Sequence, residues 1–197
     1  VLFFIADRKH AATLAGKIRD ELGRKLDLMD PNKFEFCIIK DFPMYEWNEE
    51  EEKYDFTHNP FNNPKGGSKA LENENIDEIV AEQFDFVCNG VEMASGAVRN
   101  HDPEVMKKAF AVVGLGEDVI EEKFGALYTA FQYGAPPHAG MAPGIDRMLM
   151  MLLDEDSIRE TIAFPLNANG ADSLMQAPSD ISELQLREAH IKIREKN

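Results

Sequence analysis

The stretch "FDFVCNGVEMASGAVRNH", residues 84–101, decides what kind of sheet this chain builds. Two β-favouring runs flank small turn-forming residues, the pattern of an antiparallel hairpin. With Ser95-Gly96 as a two-residue turn, Glu92 lies directly across from Arg99, and their side chains share one face. That pair reads either as a cross-strand ion pair, worth under about 1 kcal/mol if exposed, or as part of a charged site. Asp85 stands seven positions before Glu92, an odd separation that sends the two to opposite faces of an unbroken strand. A β-bulge at Asn89-Gly90 would return both carboxylates to one face. Two carboxylates there suit magnesium, a hard cation that often takes only one or two ligands from protein. Taken alone, Asp85 reads as a strand-edge or turn-facing acid.

Downstream the pattern turns helical. Asp102 is placed to cap a helix with Pro103 at its first position, and a second helix is expected over roughly 117–132. Then comes "YGAPPHAGMAPGIDRMLMMLL", residues 133–153, a loop rich in glycine and proline that runs into an apolar helix. Gly140 and Gly144 allow backbone to approach a ligand, because no Cβ stands in the way. A helix N-terminus favours anions, and Arg147, one turn in, adds a fork suited to phosphate oxygens. The alternative is a tight turn into a core helix with Arg147 paired to an acid. The helix is expected to be buried all round. A short strand at 162–164 and a terminal helix from near Ser182 complete this half.

Upstream, residues 1–6 read as a strand and residues 7–28 as an amphipathic helix with Leu14, Ile18, Leu22 and Leu26 on one stripe. "MDPN" at 29–32 breaks it and marks a candidate domain boundary. Residues 34–40 are β-rich, the acid run Glu49–Glu52 reads as a solvated turn between two strands, and residues 62–78 read as a long polar loop. His58, between Phe56 and Phe61, is either structural or placed near a substrate; His138 reads as ordering its own loop. Strands and hairpins first, helices after, is an α+β order: an antiparallel sheet flanked by helices.

Composition narrows the function classes. Apolar residues make up 44% of the 197, enough for a packed core. A formal charge of −15 argues against a broad nucleic-acid surface on this stretch. Cys37 and Cys88 sit in apolar runs and read as buried free thiols of a reducing compartment. No apolar run reaches the length of a membrane span and no secretory signal opens the chain, so no membrane role and a cytoplasmic location are expected. The chain opens inside an apolar run without a Met, as a piece of a longer protein would.

Several separated motifs together resemble one family. "GMAPGIDRMLMML" is similar to motif 3 of class II aminoacyl-tRNA synthetases, and "DFVCNGVEMASGAVRNH" with "DFPMYEWNEEEEKYDFTHNPF" resembles active-site strands of the bacterial aspartyl-tRNA synthetases. "GAPPHAG", "IRETIAFP" and "LMQAPS" fit the same family, so the likeness runs along essentially the whole chain in order. It implies residues 1–30 as the end of an insertion domain and residues 31–197 as the C-terminal part of the catalytic domain. It also implies that Arg147 holds the γ-phosphate end of ATP, that Asp85 and Glu92 position ATP-bound Mg2+, and that Arg99 pairs with the side-chain carboxylate of L-aspartate. His58 is implied near the bound aspartate, Ser95 and Gly96 where backbone approaches substrate, and Gly140 and Gly144 around the ATP. Asn59 stands where many relatives have a second histidine, and "MASGA" replaces a glycine-richer run.

The partners implied are L-aspartate, ATP and tRNA, with a homodimer in the full-length protein. Nothing resembles motif 1, motif 2 or the anticodon-binding OB-fold. The expectation is therefore a piece that is inactive alone, with an unprotected sheet edge where missing strands would pair. Two alternatives remain: a non-catalytic synthetase-like binding module, and a paralogue that forms aspartyl-adenylate for another purpose.

Overall fold

The computed structural model describes residues 4–7, 10–30 and 32–194. Helix α1 (Ala11–Lys25) leads to strand β1 (Phe36–Pro43), then to a hairpin of β2 (Tyr45–Asn48) and β3 (Lys53–Phe56). Strands β4 (Val80–Cys88) and β5 (Val91–Val98) follow, then helices α2 (Pro103–Val112) and α3 (Glu117–Gln132), strand β6 (Ala139–Pro143), and helices α4 (Ile145–Leu152) and α5 (Glu183–Glu188). The main sheet is antiparallel, in the order β1-β4-β5-β6. The α+β order read from sequence holds.

The turn of the central hairpin is Asn89-Gly90, not Ser95-Gly96. Asn89 (φ 48°) and Gly90 (φ 82°) both adopt the left-handed backbone that a tight two-residue hairpin turn demands. Asn89 is further held by its side chain, which accepts from the Glu35 amide at 2.9 Å and donates to the Lys33 carbonyl at 2.9 Å. Ser95 and Gly96 therefore lie in mid-strand, and Glu92 and Arg99 do not face each other. Glu92 pairs with Val87, and Asp85 pairs with Ser95.

A bulge does occur, but at Met93 within β5 rather than at Asn89-Gly90. Phe86 pairs with Ala94 and Val87 with Glu92, so Met93 is the extra residue. Asp85 and Val87 share a face by alternation, and Val87 lies opposite Glu92. The register thus puts Asp85 and Glu92 on one face.

Gly96 is required by packing. A Cβ there would fall 2.6 Å from the Gly140 carbonyl oxygen and from Phe84 Cζ, and 2.7 Å from Met141 Cβ. Its absence lets β6 lie close against β5.

Val87, Cys88, Met93, Ala94 and Ala97 are buried within β4 and β5, and two larger apolar clusters lie beside the sheet. Met44, Tyr45, Ile79, Ala81 and Ala109 form one buried cluster, and Met106, Phe110, Ile120 and Tyr128 another, with Phe56 packed against both. Large side chains buried in this way stabilise by about 1.5–3 kcal/mol each. Asp102 caps α2 by accepting from the Glu104 and Val105 amides, with Pro103 at the first helical position, as the sequence predicts. Ser182 and Gln185 form a capping box on α5. The Glu49–Glu52 run is the turn of the β2–β3 hairpin.

Several expectations are corrected. Residues 1–3 lie outside the described residues, and residues 4–7 form no strand. No strand forms at 162–164. Residues 62–78 carry two short 3-10 helices, Gly67–Glu72 and Ile76–Glu78, rather than a plain loop. Cys88 is buried, and burial pushes its thiol up, but Cys37 is exposed. Helix α4 is not buried: Ile145, Leu149 and Leu152 are all exposed, so its apolar run finds no cover among the described residues. Helix α1 likewise buries none of its described residues, and its stripe of Leu14, Ile18 and Leu22 stays uncovered or half-covered. Both outer strands, β1 and β6, are almost wholly exposed.

Candidate active-site groove

One face of the β4–β5–β6 sheet carries the polar side chains. Gln83 and Asp85 alternate with Phe84 and Phe86 along β4; Ser95 and Ala97 share their face on β5, and Ala142 and Gly140 continue it on β6 through direct pairing. A groove of about 530 Å3 opens over this face. Of the residues singled out in the sequence, His58, Ser95, Gly96, Arg99 and Gly140 line it. Its remaining polar walls are Asn59, Asn62, Gln83 and His138.

Arg99 sits just beyond the end of β5, where chain from three directions holds its backbone. Its amide donates to the His138 carbonyl at 2.9 Å, its carbonyl contacts His101 Nδ1 at 3.2 Å, and it pairs across an isolated bridge with Asn62. The guanidinium lies over the Phe61 ring, 5.5 Å from its centroid. Among the described residues no carboxylate partners it. A cation held over an aromatic ring keeps its N–H donors available for an incoming carboxylate.

A second group forms toward the hairpin end of β5. Arg147, in the first turn of α4, donates from Nη1 to the Glu92 carbonyl at 2.8 Å, and Nη1 lies 3.3 Å from Glu92 Oε1. Gly144, the residue before α4, has the Arg147 side chain against it: a Cβ there would fall 3.4 Å from Arg147 Cδ. Both side chains of the Arg147–Glu92 pair are over two-fifths exposed, so the pair is reachable from solvent. Asp85 joins the two groups. It faces Ser95 of the groove across the β4–β5 ladder and shares its face with Glu92. Its Oδ1 is buried with no hydrogen-bond partner among the described residues. An orphaned buried carboxylate oxygen is costly unless something cationic or protic meets it.

From Glu92 to Arg99 the backbone covers about 20 Å at ~3.3 Å per residue. The face thus carries an open arginine at one end and an arginine–acid pair at the other. That spacing admits an elongated ligand with an acidic group at each end. The acid pair meets the requirement for magnesium in one respect: Asp85 Oδ1 is an unspent oxygen donor. Among the described residues no cluster of three His, Cys, Asp or Glu forms, so any such ion would draw most of its shell from phosphate and water.

His58 follows β3 rather than lying on it, and its ring meets Phe42 edge-on at 5.4 Å. His138 Nδ1 contacts the Pro136 carbonyl at 2.8 Å, consistent with loop ordering, yet the residue also lines the groove. Asn62 and Gln83 are the groove residues that the sequence analysis missed. Gln83 had a usable signal, since it stands two residues before Asp85 in an alternating strand. Asn62 had none, because its neighbours are loop-like.

Comparison with known proteins follows the same lines. The family model for tRNA synthetases of class II (D, K and N) matches residues 7–168. The chain is 56% identical over 192 residues to an aspartate–tRNA(Asp/Asn) ligase of Phenylobacterium zucineum, covering 97% of this chain and 32% of that protein. It is 51% identical over 197 residues to an aspartate–tRNA(Asp/Asn) ligase of Rickettsia akari, covering 98% of this chain and 33% of that protein. The chain therefore spans about a third of the length of these relatives. In fold it is similar to the aspartyl-tRNA synthetase of Entamoeba histolytica, with a TM-score of 0.51 at 24% identity over 78% of this chain and 26% of that one.

Proposed function

This chain belongs to the class II tRNA synthetases (D, K and N), and on that basis we propose that it supplies the C-terminal part of the catalytic domain of an aspartate–tRNA ligase. Residues 1–30 are the end of an inserted domain, and residues 31–197 carry the motif 3 half of the active site. The full-length protein activates L-aspartate with ATP and Mg2+ and passes the aspartyl group to tRNA, working in the cytoplasm as a homodimer. The observation that carries this is Arg99 open at one end of β5, with Arg147 joined to Glu92 at the other.

The chemistry needs little covalent help. An oxygen of the aspartate α-carboxylate attacks the α-phosphorus of ATP; the bond to the bridging oxygen breaks, and pyrophosphate leaves with that electron pair. A hydroxyl of the tRNA terminal adenosine then attacks the acyl carbon, and AMP leaves. Catalysis is mainly positioning and neutralisation of phosphate charge. Arg99 grips the side-chain carboxylate through paired N–H donors, and an asparagine amide would set N–H against N–H there. Arg147 and the α4 N-terminus receive the phosphate end, with Gly140 and Gly144 keeping the wall low. His58, Ser95 and Gly96 bound the amino-acid end. Asp85 and Glu92 would hold the magnesium, which supplies charge neutralisation on the phosphates when bound.

ATP–pyrophosphate exchange tests this reading. The full-length protein carrying this chain exchanges when L-aspartate is supplied, and Arg99→Ala abolishes the exchange. The isolated 197 residues do not exchange. Aspartate-independent exchange, or ordinary exchange by the isolated chain, would refute it.

A further inference from the structure

Beneath Arg99 lies a feature that this reading does not use. Asn62 is 2% exposed and Gln83 6% exposed, and Asn62 Nδ2 donates to Gln83 Oε1 at 2.8 Å. Two buried amides facing a polar groove are costly unless they are spent on something. Asn62 has a second unspent atom: its Oδ1 is buried and has no partner among the described residues.

The backbone places Asn62 against Arg99 as closely as two strands allow. The Asn63 amide donates to the Val98 carbonyl at 2.9 Å, and the Asn100 amide to the Phe61 carbonyl at 2.8 Å. These bonds flank the Asn62–Arg99 bridge rather than join it. Asn62 and Arg99 are therefore a non-hydrogen-bonded antiparallel pair, the kind whose Cα atoms approach to about 4.5 Å and whose side chains stand side by side. Residue 61, one position earlier, supplies the ring under the guanidinium. The same short segment is tied to β4 by the Glu82 amide donating to the Asn63 carbonyl at 2.8 Å.

We propose that Asn62, locked by Gln83, is a positioning residue for Arg99. The lock fixes the Asn62 amide plane, and the unspent Oδ1, beside Arg99 but not bonded to it in the ligand-free chain, is poised to accept one guanidinium N–H when the substrate carboxylate arrives. The remaining edge of Arg99 is thereby turned to the substrate carboxylate. Asn62 and Gln83 act through Arg99 and do not touch the reacting atoms. This rests on the assignment of Arg99 to the aspartate side chain.

The consequence is an effect on one substrate alone. Orientation of Arg99 matters equally in the ground and transition states, so its loss raises the aspartate KM and leaves kcat in place. Exchange kinetics of the full-length protein read this with two variants. Gln83→Met releases the lock and raises the aspartate KM about fivefold, as expected for one lost hydrogen bond of ~1 kcal/mol. Asn62→Asp keeps the lock, because Gln83 can turn its amide and donate, but sets a carboxylate beside Arg99 that competes with substrate. It raises the aspartate KM about tenfold or more. In both variants the ATP KM and kcat stay within about twofold of the parent. Equal rises in both KM values, or an unchanged aspartate KM in both variants, overturn the positioning role. An unmodified protein that shows no aspartate-dependent exchange overturns the functional assignment instead.

Discussion

Arg147 grips Glu92 twice, donating to its backbone carbonyl at 2.8 Å while lying 3.3 Å from its carboxylate. The helix that follows the glycine-rich strand is thereby tied to the bulged end of β5. Because the pair is over two-fifths exposed, its electrostatic worth to folding is small, under about 1 kcal/mol. Its position matters more for binding. Arg147→Ala is expected to change the urea midpoint of the chain only slightly, while the full-length protein loses ATP affinity by about a hundredfold, as for a lost charge-assisted phosphate contact of ~3 kcal/mol. Equilibrium denaturation and nucleotide titration, run side by side, check both halves.

Gly96→Ala should be costly for a different reason. The added methyl meets the Gly140 carbonyl and the Phe84 ring at 2.6 Å, and a carbonyl in a paired strand has nowhere to retreat. Overpacking of this kind costs about 1–3 kcal/mol. Denaturant unfolding is expected to show that loss, and the weakened β5–β6 pairing should also lower amide-exchange protection of residues 139–143 relative to the parent. Parent-like stability would mean that β6 is not seated on β5 as described.

Tyr45 carries a pH signature. It is 2% exposed, and its hydroxyl donates to the Ala109 carbonyl at 3.0 Å. Burial pushes its pKa well above the ordinary value. The folded state therefore holds the proton more tightly than the unfolded chain, whose tyrosine titrates near pH ~10. Its contribution is complete below that pH and is lost as pH rises through about 10 and beyond. Tyr128, raised mainly by its hydrogen bond to Glu117, works in the same direction. Tyr45→Phe is expected to cost about 1 kcal/mol at neutral pH and to flatten the alkaline decline. Melting measured from pH 7 to 11 reads both.

The fold class, the cap on α2, the start of α5 near Ser182 and the acidic turn were legible because each depends on local chemistry. The central hairpin was misjudged because two small-residue pairs competed for its turn. Asn89-Gly90 wins through positive φ at both positions and through the side-chain bonds of Asn89 to Lys33 and Glu35, residues distant in sequence. Ser95-Gly96 is small for another reason, the close approach of β6 and Phe84. Composition alone does not separate a turn glycine from a packing glycine. The bare α4 reflects the same limit: its apolar run signals burial, but the surface that would bury it is not among the described residues. At the groove, Arg99 and Arg147 stood out as charges in unusual settings. The Asn62–Gln83 pair depends on a loop segment bonding to both β4 and the end of β5, which no periodicity encodes.

A structure of the full-length protein bound to a non-hydrolysable aspartyl-adenylate analogue tests most directly whether β5 presents the amino acid at one end and the nucleotide at the other. The aspartate side-chain carboxylate is expected on the Arg99 guanidinium, with the adenylate running along the polar face past Ser95 toward Asp85, Glu92 and Arg147. An analogue seated elsewhere, or one whose carboxylate is gripped by another residue while Arg99 stays over Phe61 unengaged, would contradict it.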